Sequence, residues 1–251
     1  MLTSFDLTGR RALVTGSSKG IGRALAAGLL AAGADVVLNA RDRDRLVATY
    51  DELEQTARGR VEWRAFDVTD EEQVRAAAAE LGDIDILVNN AGMQRRSPIT
   101  EFPTADFDQI MATNVRSVFL TSREFGRLMV ARGAGKIVTV CSVQSLLARP
   151  GIAPYCASKG ALTMLIKGLC ADLAPHGIQV NGLAPGYFDT ELTSALVADP
   201  EFTAWVEKRT PAGRWGDVAD LVGPLVWLSS SASDFVNGQT IYVDGGMTAV
   251  L

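Results

Sequence analysis

Short runs of β-branched and aliphatic residues recur along the chain, separated by longer stretches with helical spacing. The runs are Ala12–Thr15, Val36–Ala40, Val61–Phe66, Ile84–Asn89, Lys136–Val140, Gln179–Leu183 and Thr240–Val243. Several are apolar at consecutive positions, so both pleat faces need cover, as in a parallel sheet flanked by helices. Between them lie helical patterns at Ile21–Ala32, Asp42–Ala57, Glu71–Leu81 and Tyr155–Ala174. Thr69-Asp70 supplies an N-cap for the third. Regular strand–helix alternation predicts an α/β fold: a doubly wound sheet of seven mostly parallel strands with helices on both faces and right-handed crossovers.

No linker or internal repeat interrupts this pattern, so residues 1–251 read as a single domain. The longest stretch without a strand runs from Ala184 to Gln239. It opens on Pro185-Gly186, contains a helical pattern at Thr190–Val197, and ends with a second at Asp217–Ser231. Pro224 must kink or break that second helix. An insertion after a strand's carboxyl end is where a substrate lid would sit, here about residues 187–215. Tyr187, Trp205 and Trp215 lie in it, and packing of the lid helix is the default reading for the tryptophans.

Composition narrows the field. The 251 residues are 47% hydrophobic, with 24 Lys+Arg against 29 Asp+Glu and a net charge of −5. Wholesale disorder and collagen-like repeats are excluded, and no broad basic face exists for nucleic acid. No 18 apolar residues run together, so no membrane span is expected. Residues 1–10 resemble neither a signal peptide nor a transit sequence. Cys141, Cys156 and Cys170 show no CxxC spacing and stand beside a single histidine, His176, so no metal site is expected. They read as core or pocket-lining thiols in a reducing cytoplasm. His176 reads as a helix-end residue.

Candidate chemistry begins where the first strand runs into Thr15–Gly22, TGSSKGIG. Gly16, Gly20 and Gly22 permit a tight turn and close approach of backbone to phosphate. Ser18, Lys19 and Ile21 complete a helix N-terminus that offers unpaired N–H groups to an anion. A ligand-free glycine turn is the alternative. In such folds an acid at the end of the second strand normally takes the adenosine ribose hydroxyl. This chain has Asn39-Ala40-Arg41 instead. Arg41 and Lys19 suit a 2′-phosphate, so NADP(H) is expected over NAD(H), which remains possible. The alternative is a pair of solvated charges.

Tyr155 and Lys159 stand four residues apart, on one helical face. An ammonium beside a phenol lowers its pKa from about 10, which a general acid–base for a carbinol/carbonyl pair requires. Ser142 follows the end of the Lys136–Val140 strand, where ligands bind in open α/β sheets. A Tyr–Lys pair alone is commonly a surface contact, so its weight comes from this company.

Taken in chain order, Thr15–Gly22, Asp67-Val68, Asn89–Gly92 (NNAG), Asn114, Ser142, Tyr155–Lys159 (YCASK), Asn181 and Pro185-Gly186 resemble the short-chain dehydrogenase/reductase family over the whole chain. The resemblance implies a Rossmann-type domain and assigns roles. Tyr155 is the acid–base, Lys159 lowers its pKa and holds the nicotinamide ribose, Ser142 polarises the carbonyl, and Asn114 positions a water. Asp67 and Val68 meet the adenine. Asn89, Ala91 and Gly92 flank the cofactor, and Pro185, Gly186, Phe188 and Thr190 hold its nicotinamide end. Phe188 replaces the family's usual aliphatic residue. A homotetramer is implied, built through the long helices before Ser142 and after Tyr155 and through the C-terminal region.

The likeness extends into loops: NNAGMQRR (89–96), TEFP (100–103), CSVQS (141–145), APGYFDTELT (184–193), FTAWVEKRTPAGRWGD (202–217) and SASDFVNG (231–238) resemble family members that act on sugar acids. A sugar acid brings a carboxylate to an acidic protein, so local cations must hold it. Arg95 and Arg96 follow the NNAG turn. Adjacent loop residues rarely point the same way, so one of the two is expected to serve. Gln144 and Tyr187 are further substrate candidates, beside Ser142 and Tyr155. Two other readings stand: a 3-oxoacyl-carrier-protein reductase or other polyol dehydrogenase, and a non-catalytic dinucleotide sensor. Carrier-protein chemistry would want a basic surface and an apolar channel. A sensor would typically lack the tyrosine.

Overall fold

A seven-stranded sheet organises the chain, in the order β3-β2-β1-β4-β5-β6-β7, and every neighbouring pair is parallel. The computed structural model describes residues 3–191 and 193–251. Met1 and Leu2, at the head of the segment read for targeting signals, and Leu192, inside the expected Thr190–Val197 helix, lie outside them. The strands are β1 (Arg11–Val14), β2 (Asp35–Ala40), β3 (Val61–Ala65), β4 (Ile86–Asn89), β5 (Gly135–Val140), β6 (Ile178–Pro185) and β7 (Thr240–Val243). The helices that bear on the site are α1 (Gly20–Ala31), α2 (Arg43–Glu54), α3 (Glu71–Leu81), α4 (Thr104–Met111), α5 (Ser117–Arg132) and α6 (Ala153–Leu173). They are followed by α7 (Ser194–Val197), α8 (Pro200–Arg209) and α9 (Val222–Ser229).

Alternation along the central strands divides the core in two. Ala12, Val14, Ile86 and Val88 pack on one side with Leu25 and Leu29 of α1 and Leu225 and Leu228 of α9. Leu13, Leu87 and Ile137 pack on the other side with Phe125 of α5 and Leu162 and Ile166 of α6. Both faces are therefore apolar, which is why these strands read as continuous hydrophobic runs.

Aspartates start several helices, as expected of residues whose carboxylate accepts from free N–H groups. Asp70 accepts from Glu72 and Gln73 at 3.0 and 3.1 Å. Asp199 caps α8 in the same way, ahead of Pro200.

The segment after β6 departs from expectation. The Thr190–Val197 pattern yields only the single turn Ser194–Val197. The Asp217–Ser231 pattern becomes a 3-10 turn, Val218–Leu221, followed by α9. Pro224 sits in the first turn of α9, where its missing N–H costs little, so the break falls just before it.

Strand order reverses between β1 and β4, whose carboxyl ends flank a crevice of the kind that binds ligands in open sheets.

Candidate active site

The crevice is one cavity of about 580 Å³, running from the glycine turn to Tyr187. At its floor, Thr15 Oγ1 accepts from the N–H groups of Asn90 and Ala91 at 3.0 and 3.1 Å, clamping the glycine turn to the NNAG turn. Gly16 has φ +63°, and a Cβ there would lie 2.9 Å from Ala91 Cα. A Cβ at Gly22 would meet the Gly16 carbonyl oxygen at 2.3 Å. These glycines are required by close approach of backbone to backbone, leaving the α1 N–H groups open to the cavity. A dinucleotide's pyrophosphate fits that cradle.

The two asparagines of NNAG separate by strand alternation. Asn89 shares the β4 face of Leu87 and points at α5, donating to Ser122 Oγ at 3.0 Å and accepting from Thr121 Oγ1 at 2.7 Å. It does not line the cavity, contrary to expectation. Asn90 does, and its Nδ2 donates to the Thr15 and Gly16 carbonyls at 2.9 and 3.0 Å. Period-two counting along β4 carries the signal that separates them.

At the adenosine end the expected residues Ser18, Lys19, Arg41, Asp67 and Val68 all line the cavity, joined by Arg45 of α2. Each cation already has an acid. Arg41 lies 3.6 Å from Asp67. Glu191, from the segment after β6, lies 3.5 Å from Lys19 and 3.7 Å from Arg45.

In the middle, Ser142 Oγ donates to Gln144 Oε1 at 2.5 Å and accepts from the Gln144 N–H at 3.2 Å. Lys159 Nζ lies over the Tyr155 ring, 5.7 Å from its centroid, and donates to the Val140 carbonyl at 2.7 Å. Burial pushes the Tyr155 phenol up to about 12, with Ser142 pulling the other way. Burial also drives the Lys159 ammonium down to about 8. Burial outweighs Ser142 at the phenol, and both Tyr155 and Lys159 are pushed toward neutrality.

Asn114 is buried in a π-helical turn, Ala112–Arg116, that joins α4 to α5. Its Oδ1 accepts from Met93 N at 2.8 Å, while its Nδ2 donates to the Met93 carbonyl and Ser158 Oγ, each at 3.0 Å. The side chain does not reach the cavity. It braces the NNAG turn against α6.

At the far end Pro185, Gly186, Tyr187, Phe188 and Thr190 form a wall. Phe188 is buried, and its ring fills the space where a Cβ of Gly216 would stand. Gln144 Nε2 reaches Tyr187 Oη at 3.4 Å. Tyr187 meets the edges or faces of Phe202, Trp205 and Trp215 with centroids 5.6, 5.6 and 5.9 Å away. Trp205 and Trp215 thus pack within the segment after β6. Arg96 lines the cavity, whereas Arg95 turns away to Asp106 at 3.9 Å. Arg149, from the loop after β5, also lines the cavity. Nothing in its local sequence signals this.

The sequence model of the family described as enoyl-(acyl carrier protein) reductase matches residues 16–248. The chain belongs to the short-chain dehydrogenase/reductase family. Within that family it is 56% identical over 252 aligned residues to the gluconate 5-dehydrogenase of Gluconobacter oxydans (strain 621H), covering 98% of each chain. It is 51% identical over 247 residues to the 5-keto-D-gluconate 5-reductase of Escherichia coli (strain K12), covering 97% of each. A solved gluconate 5-dehydrogenase from Burkholderia cenocepacia J2315, in complex with NADP and tartrate, superposes with a TM-score of 0.95 at 52% identity. The match covers 100% of this chain and 99% of that one. Among the described residues, no helix of this short-chain dehydrogenase/reductase is long and apolar enough to cross a membrane.

Proposed function

We propose that the protein interconverts D-gluconate and 5-keto-D-gluconate with NADP(H) preferred over NAD(H). The observation that carries this reading is the continuity of one cavity. It joins the glycine cradle to Ser142 and Tyr155, and these to Arg96 at the mouth, in a chain sharing more than half its residues with a gluconate 5-dehydrogenase. Carrier-protein chemistry is the weaker reading, because guanidinium groups at the mouth suit a small anion better than an acyl chain. The intact tyrosine disfavours the sensor.

The glycine turn, Ala91 and Gly92 hold the phosphate and ribose portion. Asp67 and Val68 lie against the adenine. Lys19, Arg41 and Arg45 take the 2′-phosphate. Phe188 and Thr190 with Pro185-Gly186 shape the nicotinamide wall. The bound cofactor supplies or accepts the hydride. In reduction, the Tyr155 hydroxyl gives its proton to the C5 oxygen as the carbonyl becomes a carbinol, and in oxidation it takes that proton back. Ser142 donates to the same oxygen by turning its one hydroxyl proton away from Gln144 Oε1, while the Gln144 N–H holds the Ser142 oxygen in place. Lys159 holds the nicotinamide ribose hydroxyls. Asn114 acts as a positioning residue through Met93. Residues about 187–215 form the lid.

Apolar side chains exposed on α5 and α6, Phe119 and Met164, and at the C-terminus, Val250 and Leu251, support a homotetramer. The acidic balance and three free cysteines fit a cytoplasmic enzyme.

Initial rates with 5-keto-D-gluconate test this reading. Saturable NADPH oxidation with little NADH activity is expected. Equal use of NADH overturns the 2′-phosphate assignment, and no turnover with either overturns the substrate.

A further inference from the structure

Two guanidinium groups line the cavity with no carboxylate paired to either among the described residues. Arg96 comes from the loop after β4 and Arg149 from the loop after β5. Both line the cavity that Tyr187 also lines, where burial raises the Tyr187 phenol and the charge of each arginine pulls it the other way. Among the described residues neither has an ion-pair partner, although Arg95 next door has Asp106. Arg149 also weakens its neighbour, since its charge adds to burial in holding the Arg96 guanidinium below its ordinary range. Like charges brought together without an acid raise the energy of the ligand-free protein. A carboxylate placed between them removes that repulsion and gives each fork an oxygen to bond.

The second arginine is not held by charge. Its guanidinium carbon stands 5.3 Å from the centre of the Phe202 ring, a cation–π contact with α8. Phe202 in turn packs on Tyr187, which Gln144 ties to Ser142. One chain of contacts thus runs from the group that polarises the carbonyl to the group that would meet the acid.

We propose that Arg149 is the second jaw of a carboxylate clamp with Arg96, seated on Phe202, and that it makes the enzyme choose sugar acids over the corresponding neutral sugars. This rests on the sugar-acid reading given above. A neutral sugar gains nothing from the paired cations and must still desolvate them, so the clamp discriminates by charge as well as by fit.

The test compares 5-keto-D-gluconate with L-sorbose, which carries a hydroxymethyl group where the acid has its carboxylate. In Arg149→Gln, KM for the acid is expected to rise roughly 10- to 100-fold with kcat little changed. KM for NADPH and the rate with L-sorbose stay within about two-fold. Arg149→Lys, which keeps the charge but not the fork, is expected to recover part of the loss. An unchanged KM for the acid overturns the proposal. So does an equal loss on both substrates, which would make Arg149 only a strap for α8. If the wild type turns over neither gluconate nor its ketone, the substrate reading has failed separately. Calorimetric titration of tartrate into the NADP-loaded protein then decides the clamp: binding at least 10-fold weaker in Arg149→Gln supports it, and equal binding overturns it.

Discussion

The two ends of the cavity both present cations, and they keep them differently. At the adenosine end Lys19, Arg41 and Arg45 are each matched to Glu191 or Asp67 at 3.5 to 3.7 Å. At the mouth Arg96 and Arg149 have no acid among the described residues. The matched pairs are long and largely exposed, so each is worth little and a phosphate can take over the cations at small cost. The unmatched pair, with Arg149 over the Phe202 ring, has no acid to displace among the described residues and favours any carboxylate that enters. One end exchanges one anion for another. The other end is left wanting an anion.

Between them stands the group expected to matter most. Tyr155→Phe keeps both cationic ends and removes only the transferable proton, so kcat should fall by about 10³-fold, within the usual range for general acid–base catalysis. NADPH affinity, read by fluorescence titration, should stay within about two-fold. Full turnover in this variant would refute the assignment of the proton to Tyr155.

A third kind of cation sharpens the contrast. Lys159 is wholly buried with a carbonyl rather than an acid for company, and burial lowers it from 10.5 to about 8. Below pH 8 the lysine is charged in both folded and unfolded chains, and the fold carries the full cost of that charge. Between pH 8 and 10.5 the unfolded chain holds a proton that the folded chain has released. Stability from this group must therefore rise with pH in that window, by at most about 1.4 kcal/mol per pH unit. Urea midpoints of the wild type should gain on those of Lys159→Met from pH 8 to 10. Tyr155, raised to about 12, contributes in the opposite direction only above pH 10. Parallel midpoints would mean that Lys159 keeps its charge in the fold.

How much of this was legible in the sequence differs between the same two ends. The glycine turn could be read because its constraint is local: Gly16 and Gly22 answer to backbone a few residues away and to the NNAG turn. The sheet could be read because both its faces are buried, which leaves unbroken aliphatic runs. Asn89 faces α5 by strand phase, which its neighbours Leu87 and Val88 already show in the sequence. The single turn at Ser194–Val197 replaced a longer expected helix because Thr193 Oγ1 turns back to the Phe188 carbonyl at 2.6 Å, a bond no periodicity reveals. Arg149 was invisible because its partner Phe202 lies 53 positions away and meets it only through the fold. Spacing places Lys159 beside Tyr155, whereas burial, which spacing does not report, pushes both groups toward neutrality.

Substitution at the matched end should have intermediate consequences. Lys19→Ala with Arg41→Ala removes two charge-assisted contacts to the 2′-phosphate, so the NADPH KM should rise about 10- to 100-fold while the NADH KM moves little. A parallel rise in both would place these cations on the pyrophosphate instead.

The smallest effect belongs to Glu191, and it isolates the exchange of anions. Glu191 reaches both Lys19 and Arg45, yet its side chain is 62% exposed. Glu191→Gln takes away the acid that a 2′-phosphate must displace, without touching the cations themselves. NADPH should then bind more tightly, by no more than about five-fold given the modest worth of exposed pairs. NADH brings no 2′-phosphate to that position and should bind as before. Added salt screens the exposed pairs, so the gain should shrink as ionic strength rises. Equal tightening of NADH would mean that Glu191 opposes the cofactor as a whole, acting on the pyrophosphate or on the position of the segment after β6. Weaker NADPH binding would mean that Glu191 holds Lys19 and Arg45 in place for the phosphate, and the two ends of the cavity would then differ in geometry rather than in which anion they await.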